Sequence, residues 1–262
     1  MTSSTYTGLR LEKRGHTALV TLNNPPAHTW TRESLAALTA LVRDLDADRD
    51  IYSLVVTGDG EKFFSAGADL KLFADGDPAV AREMARRFGE AFETLAAFRG
   101  LTIAALNGYA MGGGLECALA CDLRIAEEHA QLALPEAGVG LLPCAGGTQW
   151  LSWLVGEGWA KRLVLCGERV DAATALRIGL VEEVVPRRQA LAQALALAAR
   201  VDKQSPTSVA ACKRLIHGAR DQSPMATLVA EREAFVDLFS TQDQREGVNA
   251  FLAKRAPVWR NA

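Results

Sequence analysis

The sequence predicts a mixed α/β fold in which strands and helices interleave up to about residue 186 and helices alone follow. Short apolar runs such as Ser53 to Thr57 and Leu101 to Leu106 read as buried strands, Leu9 to Arg14 and Thr17 to Leu22 alternate apolar and polar as strands do, and longer stretches of helical period separate them. Beyond Pro186 the apolar residues recur only at helical spacing, in Ala- and Leu-rich segments. Of the 262 residues 49% are apolar and 23% charged, enough to bury one large core in an ordinary globular chain. A net charge of -2 leaves no basic footprint for nucleic acid or an anionic membrane surface. No apolar run reaches the roughly 18 residues of a membrane span, and Met1 to Thr7 is short and polar, without a signal-peptide core.

Taken in order, Leu9 to Arg14 and Thr17 to Leu22 form a hairpin about the turn Arg14-Gly15-His16, and Asn24-Pro25-Pro26 stops its second strand. Thr31 caps a helix that carries Leu35, Leu38, Leu41, Val42 and Leu45 on one stripe. Asp46 to Asp50 is a polar loop, Ser53 to Thr57 a strand, and Gly58-Asp59-Gly60 a turn. Phe63 to Lys71 is a turn of small residues that exposes backbone amides, with Asp69 a plausible cap. After the loop Asp75 to Pro78, Glu83 to Phe98 is an amphipathic helix with Met84, Phe88, Ala91, Phe92 and Leu95 as its core stripe.

Leu101 to Leu106 then leads into the stretch on which the chain turns, Asn107 to Asp122. Strands follow at Leu123 to Ala126 and Ala130 to Leu134, and helices at Cys144 to Val155, Trp159 to Leu165 and Asp171 to Ile178. Asp171 caps the last of these and Gly179 ends it. Leu180 to Val185 is a strand. Arg187 to Arg200, Thr207 to Gly218, Pro224 to Phe239 and Asp243 to Lys254 are helices, with no linker or internal repeat between the parts.

Gly112, Gly113 and Gly114 join a strand to a helix in this central stretch. Such a turn leaves the first helical amides without partners and able to hold an anion or a developing oxyanion. Glu116 follows Gly113 by three residues, about 300° around and roughly 4.5 Å along a helix, so its carboxylate shares a face with that amide. The glycines equally suit close packing of helix on sheet, and Glu116 a solvated surface. The spacing does not match a dinucleotide-binding G-x-G-x-x-G. Glu136 lies in an apolar loop rich in Gly and Pro, surroundings that raise a carboxyl pKa and suit a proton donor, although a helix-start or turn residue is the plainer use of such an acid. Cys117 and Cys121 are four apart on a helix, but nothing nearby completes a metal site, so they read as packing thiols. The five cysteines lack paired spacing, as expected of reduced thiols in a cytoplasmic protein. No histidine has a triad context.

These residues resemble the enoyl-CoA hydratase/isomerase (crotonase) superfamily over nearly the whole chain. The resemblance rests on Phe64-Ser-Ala-Gly-Ala-Asp-Leu-Lys71, Asn107 to Glu116, Leu134-Pro-Glu136 through Pro143, Gly146-Gly-Thr-Gln149, and Glu246 to Arg255 with Pro257 and Trp259. It implies a spiral of β-β-α units over residues 1–200, which holds the active site. Residues 201–262 would form a helical region for oligomerisation and pocket cover, in a homotrimer or a hexamer built as a dimer of trimers.

It also implies a coenzyme A thioester as substrate, with no further cofactor and no metal. The amides of Ala68 and Gly113 would hold the thioester oxygen. Ala66, Gly67, Asp69 and Leu70 would contact substrate or coenzyme A. Glu116 and Glu136 match the two glutamates of the hydratase type, which makes hydration of a 2-enoyl thioester the expected reaction. Alternatives within the superfamily are double-bond isomerisation or formation of an unusual unsaturated acid. A non-catalytic, RNA-binding role is disfavoured by the charge. The chain departs from the common pattern at His28 and Thr29, where an Asn is frequent, and at Cys144, where a Gly is. Trp30, Trp150 and Trp153 are bulky enough to border an acyl pocket, although core packing is the commoner fate of such residues.

Overall fold

Strands that are apolar on both faces have to lie between two layers of helix. In a computed structural model, which describes residues 2–220 and 222–262, this holds for Thr17–Leu22 (β3), Ser53–Gly58 (β4) and Leu101–Leu106 (β6). These three are parallel neighbours, with Leu123–Glu127 (β8) and Glu183–Val185 (β11) parallel beyond them. Leu9–Arg14 (β2) pairs antiparallel with β3, and Thr2–Tyr6 (β1) antiparallel with β2, completing a seven-stranded sheet. The strand alternation sorts the two faces. Val20, Val56, Ala104 and Leu106 point into the main core with Leu35 and Leu38 of Arg32–Ala47 (α1) and Phe88 and Phe92 of Pro78–Ala97 (α2). Leu19, Val55, Ile103 and Ile125 point the other way, onto Ala190, Ala194 and Ala198 of Ala190–Val201 (α6). Alanines four apart on α6 let that helix come close to the sheet.

A second sheet of four short strands stands beside the first, in the order Val170–Asp171 (β10), Gln131–Ala133 (β9), Tyr109–Met111 (β7) and Phe63–Ser65 (β5). The chain passes from one sheet to the other at Asn107-Gly108. The Asn107 amide donates to the carbonyls of Gly58, Gly60 and Phe63 and accepts from Gly58 N–H at 3.0 Å. A Cβ at Gly108 would stand 2.2 Å from the Lys62 carbonyl oxygen, so only glycine permits the crossing. The remaining helices are Gly113–Leu119 (α3), Trp150–Leu165 (α4), Ala172–Arg177 (α5), Pro206–Gly218 (α7), Pro224–Asp237 (α8) and Gln242–Leu252 (α9). Lys213 ties α7 to the core, donating to partly buried Asp122 at 2.8 Å and to the Gly100 carbonyl at 2.9 Å. No helix among the described residues is long and apolar enough to cross a membrane.

Several boundaries differ from the sequence reading. Strand β1 falls in the polar N-terminal segment, of which Met1 lies outside the described residues; Thr and Ser give no apolar alternation, and pairing with β2 makes the strand. The strands β5, β7 and β10 are too short for a periodic signal. Helix α2 begins at Pro78 because Asp77 accepts from Ala79 N–H and Pro suits the first turn. The residues 144–149, read as the opening of a helix, are not helical; α4 starts at Trp150 and is broken at Gly156, whose φ is +74°. Strand β11 covers only the last three residues of Leu180 to Val185. Cys117 and Cys121 are packed in the main core, where burial pushes the Cys121 thiol up to about 12.

The break in α4 gives a stability prediction. Gly158, exposed and with open space at its Cβ position, is expected to accept Ala with a gain of roughly 0.5 kcal/mol. Gly156→Ala, forced into the left-handed region, is expected to lose about 1 kcal/mol. Urea midpoints that move in opposite directions at constant m-value would bear this out.

Candidate active site

The site begins where β5 ends. Gly67 takes φ +90°, and a Cβ there would stand 2.7 Å from the Met111 carbonyl oxygen and 3.1 Å from Gly113 N. The backbone at 67–68 thus lies directly against the start of α3. Trp30 N–H donates to Gly67 O at 2.8 Å and Asp69 N–H to Trp30 O at 3.1 Å, a parallel bridge centred on Ala68. In such a bridge the middle residue turns its own N–H to the other side of the strand. Ala68 borders the cavity there. Gly113 is the first residue of α3, where an N–H has no intrahelical acceptor.

Two carboxyl groups border the same cavity. Glu116 is only 2% exposed, and its Oε1 accepts from Ala145 N–H at 2.7 Å and Gly147 N–H at 2.9 Å. Burial pushes its pKa up, and the two amides pull against that. A Cβ at Gly147 would come within 3.0 Å of that oxygen and 2.6 Å of Pro143, so the cradle needs glycine. Glu136 opens a short 3₁₀ turn, Glu136–Val139. Its Oε1 lies 3.0 Å from where a Cβ of Gly112 would be, and its buried Oε2 has no hydrogen-bond partner among the described residues. Burial raises this carboxyl to about 7; its own amide opposes the shift and the nearby Glu116 charge adds to it. One acid is therefore held by two fixed donors and the other is half-bare and titrates near neutrality.

The cavity has a volume of about 340 Å³. Besides these groups, apolar side chains line it, among them Leu70, Phe73, Phe88, Leu141 and Leu142. Its wall suits an acyl chain, and its polar end offers two N–H donors and two carboxyls. Burial and the two carboxylates push the Cys144 thiol, also on the wall, up to about 11, so it stays protonated and a poor nucleophile.

The sequence profile of the enoyl-CoA hydratase/isomerase family matches residues 12–262. The chain belongs to that family. It is 37% identical over 246 residues to the short-chain-enoyl-CoA hydratase of Clostridium acetobutylicum, covering 94% of each chain. Among solved structures it superposes on Pseudomonas aeruginosa DspI with a TM-score of 0.94, 69% identity and 97% of each chain covered. It superposes on the enoyl-CoA hydratase of Bacillus anthracis with a TM-score of 0.93 and 33% identity, covering 97% of this chain and 100% of that one. The protein is an enzyme of the crotonase type, and its two sheets and helical C-terminal region are those of the crotonase fold.

Of the residues expected at the site, Ala66, Ala68, Leu70, Gly113, Glu116 and Glu136 all border one cavity. Gly67 lies behind it, packed on Met111 and Gly113. The Asp69 side chain does not line it; it accepts from Lys71 N–H at 3.1 Å and caps the 3₁₀ turn Leu70–Phe73. None of the three tryptophans lines it either: Trp30 is buried edge-on to Phe92, Trp150 packs over Gly146, and Trp153 is half exposed beside Arg220. The cradle formed by Ala145 and Gly147 escaped the sequence reading, which had Gly147 only as part of a family motif, because a backbone cradle has no side-chain signature. Phe88 was legible only as a core residue of α2, and it both fills the core and closes the cavity under Gly113.

Proposed function

We propose that the protein adds water across the 2,3 double bond of a 2-enoyl-CoA thioester, and by reversal dehydrates a 3-hydroxyacyl-CoA. The observation that carries this reading is the pair of carboxyls in unlike surroundings, Glu116 and Glu136, on one cavity with the Ala68 and Gly113 amides. The thioester oxygen sits between those amides and gains enolate charge as water adds; one such donor is worth roughly 3 kcal/mol. Glu116, with Oε1 held by Ala145 and Gly147, keeps its other oxygen for the water attacking C3. Glu136, protonated near neutrality, delivers the proton to C2. The two carboxyls are close enough to influence one another and titrate as a pair. Conjugation already activates the double bond, so the chemistry calls for no metal or further cofactor. Ala66, Gly67 and Leu70 would border the bound thioester.

The same reading makes the protein a homotrimer or a dimer of trimers, acting in the cytoplasm without nucleic acid. Helix α8 supports an assembly: Met225, Val229, Phe235 and Val236 are each more than half exposed, a large apolar surface for a free chain. Light scattering distinguishes three copies from six.

The reaction is tested with 2-enoyl and 3-enoyl thioesters of rising length. Loss of conjugated absorbance with the 2-enoyl series is the expected result. A gain with the 3-enoyl series and no loss with the other would make the protein an isomerase.

A further inference from the structure

The Ala68 amide is only as useful as its position, and the residues that set that position lie outside the cavity. Ser65 is fully buried at the end of β5. Its hydroxyl donates to the His28 carbonyl at 2.7 Å and accepts the Gly67 N–H at 3.2 Å, one residue before Ala68. His28 is itself pinned. It is buried and takes φ +53°, a conformation that few residues other than glycine adopt. Its Nδ1 accepts from Asn24 N–H at 3.2 Å, which leaves the proton on Nε2, donated to the Asp59 carbonyl at 2.8 Å. Its own N–H donates to Asn24 O at 2.7 Å. The ring therefore rivets the 24–28 loop to the turn after β4, and the loop's carbonyl at 28 orients the hydroxyl that holds the backbone at 67.

We propose that Ser65 and His28 are a positioning pair that sets the Ala68 amide against the thioester oxygen. The inference rests on the hydratase reading above, since it assigns these residues to the enolate-stabilising part of that reaction. Ser65 touches neither substrate nor reacting atoms and acts through Gly67. Removing its hydroxyl leaves the Gly67 N–H unpaired and lets the 66–68 backbone shift. A displacement well short of 1 Å matters for a donor that has to meet charge developing on one oxygen.

The test compares Ser65→Ala, His28→Ala, the double variant and His28→Asn. Both alanine variants are expected to lose about 10- to 100-fold in kcat with KM changed less than about threefold. The double variant should lose no more than the worse single one, because both residues act on the same link. His28→Asn, which tolerates positive φ and keeps an acceptor for Asn24 N–H, should recover most of the turnover. Binding supplies a readout independent of turnover. The affinity for an acetoacetyl thioester, whose enolate form carries negative charge on the oxygen the amide would meet, should fall in the alanine variants by about the factor lost in kcat. The affinity for the saturated butyryl thioester should hold.

Wild-type hydration together with undiminished kcat in both alanine variants overturns the positioning role and leaves the hydratase reading intact. Equal losses for the two thioester ligands overturn it as well, since they mark general disruption. If the wild type hydrates no enoyl thioester, the hydratase reading fails, and the ratio of the two affinities still decides whether Ser65 and His28 set the amide. Should Ser65→Ala not fold, the two His28 variants carry the comparison.

Discussion

Glu136→Gln is expected to abolish hydration and, above neutral pH, to make the protein more stable. The first effect follows from the proton-donor role proposed for the group. Gln presents an amide of the same size that cannot release a proton to C2, and loss of a positioned general acid costs roughly 100- to 10,000-fold. The second follows from its surroundings. Burial raises this carboxyl from its ordinary 4.5 to about 7. Between those values the folded chain holds a proton that the unfolded chain has released, so stability falls as pH rises through that window and the deficit is complete above about 7. The full shift corresponds to about 3 kcal/mol; the partial exposure of the side chain reduces this to on the order of 1–2 kcal/mol. Gln pays no such ionisation penalty. Urea unfolding of both proteins at pH 5 and pH 8 should show the variant's advantage growing with pH. For the wild type, hydration should weaken as pH rises through about 7, because the acid form is consumed. Hydration retained by the variant would remove Glu136 from the mechanism.

Gly67→Ala is expected to be the most damaging change of a residue that carries no functional group. At φ +90° any Cβ is strained, at a cost of roughly 1–2 kcal/mol. The added methyl would also press on the Met111 carbonyl oxygen at 2.7 Å and on Gly113 N at 3.1 Å. Both neighbours are backbone and neither can swing aside. The backbone at 67–68 and the start of α3 would have to separate, and with them the two amides assigned to the thioester oxygen. Turnover should fall by more than about 100-fold, and stability by roughly 2–3 kcal/mol. Gly140→Ala provides the contrast. Its φ is +74° and its Cβ position is open, so only the conformational cost of about 1 kcal/mol applies. Thermal midpoints and initial rates for the two variants separate strain from displacement; similar behaviour in both would mean that the Gly67 contacts are slack.

Much of the fold was legible because its signals are local. The stripe from Leu35 to Leu45 behind the Thr31 cap, and the apolar runs at Ser53 and Leu101, each carry their structure in their own period. Two of the site's features were legible for a similar reason: a glycine run ahead of Glu116, and Glu136 among apolar neighbours, both read from a few adjacent residues. Residues 144–149 were misread because their backbone is shaped by a carboxylate 29 and 31 residues upstream, and nothing in their own composition records it. Of the two roles the sequence offered Asp69, helix cap and contact with coenzyme A, the fold gives its side chain the first, capping a 3₁₀ turn.

The order of residues alone determined the α/β class and the family, and marked Glu116 and Glu136 as candidate acids, since periodicity, turn chemistry and short motifs act over a few residues. Only the folded chain decided that Glu116 is held by two amides while Glu136 is left half-bare, that Gly67 abuts Gly113, and that Ser65 and His28 stand behind Ala68. Those relations join residues tens of positions apart, and close packing, which no local segment can specify, brings them within hydrogen-bonding distance.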